Sequence, residues 1–427
     1  MTKAATNAQA KQGAAVPTGK LRVWIAVFCF AAYMTAFLDR INVSVLIADP
    51  VFTNTLGIAS DKSKQGLLMS AFLFAYGVSC FLVGPVMQCF GAKKSLAAGL
   101  LCWVLLTGVM GAASSIAFVL LCRALLGLGE AVLGPGVSKL VQTWFPVHER
   151  AKANGAWYVG LQSAYILGTP LLAWWIAAAG WRGSYYILAL FGLVPFVMCL
   201  YFVYDHPSQH PRMTREEAAY ITPQNSFTAP SAQAAKLDLG FLKRGTFWNL
   251  VIIYSIGNAA YWGLVFWIPS YLKLTLGFSW AAMGSLAMLP YICGMLSVMT
   301  FMPLMDRFNR RALFTFVGSG IFALLIVVAM RIGSPLGAVA VLSLAFAAGA
   351  PGAPALFTML QNVTGKEQVV TATGLFNGFA YVAASLIPYA IGILYNLTGS
   401  LKTCFYFLAA LPALTFLLYI PLVRRRL

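Results

Sequence analysis

The stretch AVFCFAAYMTAFLDRINVSVLIA, residues 26–48, is apolar enough and long enough to cross a lipid bilayer. Its second half nevertheless carries two adjacent charges, Asp39 and Arg40. A full charge near the centre of a membrane helix costs about 2.5 to 3.5 kcal/mol, so an ionisable residue at that depth indicates a functional site by default. A position at the membrane surface would avoid this cost, but residues 41–48 continue apolar for about two more turns.

The composition of the whole chain indicates the same environment. Of its 427 residues 60% are hydrophobic and 9% are charged, and the mean hydropathy is +0.80, which is outside the range of soluble domains. Apolar runs of roughly 20 residues between short polar breaks predict an all-α integral membrane protein of twelve transmembrane helices. The predicted spans are 23–48, 65–87, 95–113, 115–143, 154–179, 183–204, 246–272, 280–305, 312–330, 335–361, 369–395 and 402–423.

One long polar segment divides these spans into two sets of six. It is rich in Pro, Ser, Gln and charged residues, and an even division of this kind is typical of an internal repeat. We therefore expect two pseudo-symmetric six-helix bundles, residues 23–204 and 246–427, joined by a cytoplasmic linker, 205–245. The polar residues 1–22 are expected to form a disordered cytoplasmic tail.

The basic residues predict the orientation. The formal net charge is +18, and 20 of the 29 Lys and Arg residues fall in segments on the side of the termini, against six on the other side. By the positive-inside rule both termini are cytoplasmic. This asymmetry and contact with anionic lipid account for the charge, so no nucleic-acid partner is expected.

Cysteine and histidine positions argue against other chemistries. The eight cysteines are scattered singly, without the spacing of a metal site or a disulfide framework. All three histidines, His148, His206 and His210, fall outside the spans, and there is no HExxH motif. We expect neither a metal nor a catalytic residue, and an intramembrane enzyme is the weaker alternative.

Four charges within the spans suggest a division of labour. Arg123 and Glu130 are seven residues apart and therefore share a face of span 4. Arg40 is permanently charged and its planar fork matches a carboxylate, so it is the predicted substrate ligand. Asp39 and Glu130 can lose their charge and are the predicted proton carriers. Alternatively, the four residues form a neutral network that holds spans 1 and 4 together, with Arg123 supporting Glu130 as an ion pair.

Polar and aromatic residues at helical spacing extend the predicted binding site. Tyr33 lies on the face of Arg40, seven residues earlier. Gln162 in span 5, Asn258 in span 7 and Asn377 in span 11 each have tyrosines three or four residues away. These faces either line a cavity or join helices.

Two loops carry the signature that identifies a family. Residues 84–94 (GPVMQCFGAKK) and 302–312 (MPLMDRFNRRA) align at an offset of 218 residues and resemble the loop motif of the major facilitator superfamily. The resemblance implies the fold described above and gating roles for Lys93, Lys94, Asp306 and Arg307. Gln88 and Cys89 replace the Asp-Arg pair of the first loop, so its usual salt bridge is not expected.

Further motifs resemble the anion:cation symporter family within that superfamily. They are Asp39-Arg40-x-Asn42, Arg123 to Glu130, Trp144-Phe145-Pro146-x-x-Glu149-Arg150-Ala151 and Trp267-x-Pro269-x-Tyr271-Leu272. The family includes bacterial galactonate, glucarate, tartrate and phthalate carriers and animal sialic-acid and vesicular glutamate carriers. The resemblance adds Tyr76 to the substrate ligands and implies a bacterial inner-membrane protein.

The combined reading is a proton-coupled symporter that imports an organic carboxylate by alternating access. We expect a monomer in the bilayer with no cofactor other than the coupling protons. An organic-anion exchanger of the same fold is the alternative, although it would need more fixed positive charge. The substrate could be a sugar acid, an aromatic acid or a short carboxylic acid. Leu356 and Phe357 in span 10 are apolar where sugar-acid carriers of the family tend to be polar, so the resemblance favours an aromatic or sparsely hydroxylated acid.

Overall fold

The computed structural model describes residues 21–146, 148–221, 240–364 and 368–425. Within these residues ten helices are long and apolar enough to cross a membrane. Two of the ten, Lys62–Met110 and Arg150–Phe202, each contain one glycine with a non-helical, positive φ, Gly91 and Gly180. Each of these long helices therefore comprises two spans, and the total is the predicted twelve.

The spans follow the predicted order with shifted ends. Their bounds are Leu21–Leu46 (span 1), Lys62–Met110 (spans 2 and 3), Ile116–Glu130 with Leu133–Trp144 (span 4), Arg150–Phe202 (spans 5 and 6), Gly245–Ser270 with the π-helical turn Tyr271–Thr275 (span 7), Trp280–Leu286 with Leu289–Phe308 (span 8), Arg311–Arg331 (span 9), Pro335–Gly349 with Gly352–Val363 (span 10), Val369–Thr398 (span 11) and Leu401–Leu418 with Ile420–Arg424 (span 12). Short helices at Pro50–Thr55, Pro207–Gln209, Arg215–Ile221 and Gly240–Lys243 lie between spans.

With twelve passes, both ends of the described chain lie on one face, which we call the terminal face; the other is the distal face. The even-numbered spans begin at the distal face, and in five of the six a side chain caps the first free amide groups, which would otherwise be unpaired. These caps are Asp61, Ser115, Ser279, Ser334 and Ser400.

The boundary predicted for the tail at residue 22 is wrong by two residues. Leu21 and Arg22 already belong to span 1, and both are buried. Arg22 pairs with Glu149 at 2.6 Å and with Glu217 of the linker at 3.3 Å, so its charge is neutralised within the protein. The rest of the predicted tail, and residues 222–239 of the predicted linker, lie outside the described residues.

The two sets of six spans meet along two seams on the distal side. Span 2 approaches span 11 so closely that a Cβ at Gly66 would overlap the carbonyl of Pro388. Span 8 approaches span 5 at Gly284, which faces the backbone of Pro170. These approaches close the distal half of the interface between the sets.

Candidate functional site

Two buried ion pairs connect spans 1 and 4. Arg40 pairs with Glu130 through two bonds to the same oxygen, Nη2 to Oε1 at 2.6 Å and Nε to Oε1 at 2.8 Å. Arg123 pairs with Asp39, Nη1 to Oδ2 at 3.0 Å. All four side chains are buried. The charges neutralise each other in pairs, which reduces the cost of holding them within a membrane.

The prediction that Arg123 supports Glu130 is wrong. The side chains of Asp39 and Arg40 leave span 1 about 100° apart, so each meets a different level of span 4. Asp39 also accepts from Thr107 Oγ1 in span 3 at 3.3 Å, and Arg123 Nε donates to the carbonyl of Leu68 in span 2 at 3.3 Å. The Asp39–Arg123 pair is thus enclosed by the first four spans.

The Arg40–Glu130 pair has a more open environment. Arg40 Nη1 and Glu130 Oε2 are buried and have no hydrogen-bond partner among the described residues. Aromatic rings cover the guanidinium, with Arg40 Cζ 4.4 Å from the ring centroid of Phe37, 5.1 Å from Phe72, 4.6 Å from Tyr76 and 5.6 Å from Trp262. Trp262 belongs to span 7, so both halves of the chain contact Arg40. Cation–π attraction offsets part of the desolvation cost where hydrogen bonds are missing.

A cavity of about 1030 Å³ lies against this cover. It is lined by spans 1 and 5 of the first half and by spans 7 to 12 of the second, and it extends from the middle of the bundle towards Met305 and Tyr419 near the terminal face. Phe37 and Trp262, which cover Arg40, are part of its wall. Arg40 is therefore separated from the cavity by a single layer of rings.

The structure brings some predicted substrate ligands to the cavity and leaves others behind its wall. Gln162 and Asn258 line it, and Asn258 Nδ2 has no hydrogen-bond partner among the described residues. Asn377 lies behind Tyr254, whose hydroxyl donates to Asn377 Oδ1 at 3.4 Å. Tyr76 lies behind the lining residue Tyr381, with ring centroids 4.6 Å apart and planes at 59°, and Tyr33 packs on Trp157 at 4.8 Å.

Sequence reasoning missed several aromatic residues of the cavity wall, among them Tyr291 and Phe346. Tyr291 of span 8 stacks on Tyr165 of span 5 with centroids 4.9 Å apart, and Phe346 of span 10 packs edge-on against Tyr291 at 5.6 Å. Tyr291 has no polar neighbour three or four residues away, and Phe346 has only Ser343, so neither is distinguished from an ordinary core position. Only the packing of the two halves brings these rings to one surface.

The loops that carry the family signature are held in different ways. In the first, Asp205 Oδ1 at the end of span 6 accepts from the backbone amides of Ala92 and Lys93, and the Lys93 ammonium lies 3.4 Å from the ring centroid of Tyr204. In the second, Asp306 pairs with Arg311 at 2.6 Å. Lys94 and Arg307 are exposed. Asp205 and Arg311, which the motif comparison did not single out, are therefore the residues that hold these loops.

A polar contact joins the two halves at the distal face. Asn396 at the end of span 11 donates to Asp61 Oδ1 at 2.8 Å and accepts from the Lys62 amide at 3.0 Å. Hydrogen bonds from the Ser63 hydroxyl, from Asn396 and from the backbone amides of Lys64 and Ser63 lower the pKa of Asp61 to about 2. The carboxylate is charged at any physiological pH, so this seam does not titrate.

A twelve-helix membrane fold with a central cavity between two halves, and with paired charges beside it, defines a secondary transporter. The Major Facilitator Superfamily model matches residues 29–388 and 281–427, and the chain belongs to this superfamily. Both the fold and the family resemblance predicted from the sequence are confirmed.

Curated relatives cover almost the whole chain. The chain is 28% identical to the "Probable sulfoacetate transporter SauU" of Cupriavidus necator, over 91% of this chain and 90% of that protein. It is also 28% identical to the "Probable galactarate/D-glucarate transporter GudP" of Bacillus subtilis, over 95% and 93%. The names of both relatives are those of organic-anion transporters.

Solved structures agree in fold. A bacterial homologue of the human lysosomal transporter Spinster, in an inward-facing and unoccupied conformation, superposes with a TM-score of 0.74 at 16% identity, over 96% of this chain and 98% of that one. The peptide transporter POT in complex with sulfate superposes with a TM-score of 0.73 at 12% identity, over 94% of each chain.

Proposed function

We propose that this protein is a proton-coupled symporter that imports an organic carboxylate by alternating access. The observation that carries the proposal is the Arg40–Glu130 pair, which lies one ring layer from the central cavity and retains an unpartnered donor and an unpartnered acceptor. The organic-anion names of the relatives support the substrate class.

Arg40 is the proposed anion ligand. Its Nη1 has no partner, and a substrate carboxylate could use this nitrogen together with Nη2, the geometry in which a guanidinium binds a carboxylate most strongly. Nη2 is engaged by Glu130 in this structure. Substrate and Glu130 therefore compete for the same fork.

This competition couples proton binding to substrate binding. A proton on Glu130 removes the negative charge that holds Arg40, and the buried Oε2 offers an unpartnered position for that proton. Protonation then raises the affinity of Arg40 for the substrate anion, and by linkage the bound anion raises the proton affinity of Glu130 by the same factor.

Asp39 is the second proposed proton carrier. Neither Asp39 nor its partner Arg123 lines the cavity, so the proton of Asp39 would respond to the net charge of the four-residue cluster rather than to direct substrate contact. Substrate and protons would then be released on the terminal side. The cavity extends towards this side, and the distribution of basic residues predicts that it is cytoplasmic.

Uptake into proteoliposomes tests the proposal against anion exchange. The labelled acid is chosen by thermal shift from a set of sugar acids, aromatic acids and dicarboxylates. Symport predicts concentrative uptake when the outside is made acidic, which a protonophore abolishes, with no requirement for an internal anion. Uptake that ignores the pH gradient but needs an internal anion would instead identify an exchanger.

A further inference from the structure

We propose that the carboxylate this protein binds carries an aromatic ring and few hydroxyl groups, and that it is not a sugar acid. This inference rests on the proposed function, since it names the substrate of the same site. It goes beyond the relatives, several of which are named for galactarate, glucarate, hexuronate or galactonate.

Aromatic rings from both halves of the chain form the inner end of the cavity. Tyr165 stacks nearly parallel on Tyr291, with centroids 4.9 Å apart and planes at 19°. Tyr261 meets Tyr165 edge-on at 6.0 Å, and Phe346 packs against both Tyr261 and Tyr291. Rings in these geometries present faces and edges that suit another aromatic ring.

The hydroxyl groups of the cavity wall are largely taken by the protein. Ser297 donates to the carbonyl of Ala347 at 2.5 Å, Ser319 to Phe316 at 2.8 Å and Thr415 to Pro412 at 2.9 Å. The side chains of Tyr165 and Tyr261 are hydrogen-bonded to each other. A hydroxylated substrate would find few of these groups available.

Among the other polar groups of the cavity wall are the hydroxyls of Tyr158 and Tyr291 and the side-chain amides of Gln162 and Asn258, and Asn258 Nδ2 is unpartnered within the described residues. Two amides suffice for one or two ring substituents. A six-carbon sugar acid brings four or more hydroxyls, and each one desolvated without a partner lowers affinity. An aromatic body loses no hydrogen bonds on entry and gains from leaving water.

A binding panel on the purified full-length protein tests this inference. The probes are phenylacetate, 4-hydroxybenzoate, hexanoate, D-galactonate and the neutral phenylacetamide, each measured by competition against the tightest binder. We expect the two aromatic acids to bind about 100-fold more tightly than D-galactonate, as expected when two or more hydroxyls lose their partners. Hexanoate is expected to bind more weakly than the aromatic acids and more tightly than D-galactonate, because it is apolar but has no ring.

The panel separates this inference from the proposed function. Binding of D-galactonate as tight as that of the aromatic acids would overturn the inference and leave anion transport intact. Equal binding of phenylacetate and phenylacetamide would overturn anion recognition and leave selection for the ring. If no probe binds, both proposals fail.

Substitution of Tyr291 locates the selectivity. Tyr291→Leu preserves apolar bulk and removes the ring, so we expect about tenfold weaker binding of phenylacetate with little change for hexanoate. Tyr291→Phe should restore the wild-type preference. Tyr406→Leu, at an exposed ring of span 12 outside the cavity, is the matched control. Equal losses for phenylacetate and hexanoate in Tyr291→Leu would contradict selection by the ring.

Discussion

The two halves of the molecule differ in the polarity of their buried and cavity-facing side chains. In spans 1 to 6, Asp39, Arg40, Arg123 and Glu130 are buried as two ion pairs within the bundle, and Arg22 is buried at the terminal end of span 1. In residues 240–364 and 368–425 no charged side chain is buried, and aliphatic and aromatic residues make up most of the surface that faces the cavity. Among the described residues, buried charge is thus confined to the first half, while the second half contributes most of the shape and apolar area of the cavity.

This difference separates coupling from selection. A buried ion pair changes its energy steeply when one member is protonated, which suits it to couple ions to substrate. A wall of rings does not titrate near neutral pH, but its geometry discriminates among substrates. Substitutions in the first half should therefore alter the response to pH, and those in the second half should alter the preference among acids.

Glu130→Gln provides the strongest challenge to this division. The amide cannot release a proton, so we expect accumulation driven by a pH gradient to disappear while counterflow of labelled substrate persists. Measurement is by uptake into proteoliposomes with and without an imposed gradient. Glu216→Gln, on the exposed face of the linker helix, is the control. Normal concentrative uptake by Glu130→Gln would remove this residue from the coupling mechanism.

Asp39→Asn tests whether the enclosed pair differs from the pair beside the cavity. It leaves the Arg123 charge buried among spans 1 to 4, and we expect a loss of about 3 to 5 kcal/mol in the free energy of unfolding. The double variant with Arg123→Gln should recover part of that loss, since no uncompensated charge remains. Thermal unfolding in detergent measures the stability of the single and the double variant. If the double variant is no more stable than Asp39→Asn, the two residues are not energetically coupled.

Arg40→Lys tests the proposed anion ligand. Lysine keeps the charge but lacks the planar fork, so we expect substrate affinity to fall by about tenfold to 100-fold. Equilibrium binding measures the change, and Arg215→Lys at an exposed linker position serves as the control. Unchanged affinity would place the substrate away from Arg40.

Asp61→Ala is expected to have the smallest effect. It tests whether the polar contact between the two halves at the distal face responds to pH. It removes a helix cap and the contact with Asn396, at a cost of about 1 kcal/mol. Because the folded pKa of Asp61 is depressed to about 2, the stabilisation is present above the ordinary value of 3.8 and is lost only as the pH falls towards 2. The difference in thermal unfolding temperature between Asp61→Ala and the wild type should thus be the same at pH 5 and pH 8. A difference that changes over this range would show that the seam titrates.

Local sequence patterns predicted the spans well because each membrane helix must satisfy its own backbone hydrogen bonds over a length set by the bilayer. The ends were less well predicted. Span 1 ends at Leu46 instead of residue 48, since its last turns depend on how the following segment packs.

The site was predicted in part. Arg40, Glu130 and Asp39 were singled out because charges in apolar runs are conspicuous, and Gln162 and Asn258 because they belong to polar faces. Gln162 and Asn258 line the cavity, whereas the functional roles of all five residues stay predictions. The pairing of Arg123 with Asp39, and the roles of Tyr291 and Phe346 in the cavity wall, were not found, because they depend on the rotation of one helix against another.

The sequence by itself determined that this chain is a twelve-span membrane protein whose intramembrane charges lie in its first half, because hydrophobic length and the cost of burying charge act on each segment locally. The tertiary structure alone decided which acid meets which arginine, which rings cover Arg40, and which side chains share the central cavity. Hydrogen bonds in the structure join residues as far as 335 positions apart, as in the bond from Asn396 to Asp61, and only the packing of the two halves brings such residues together.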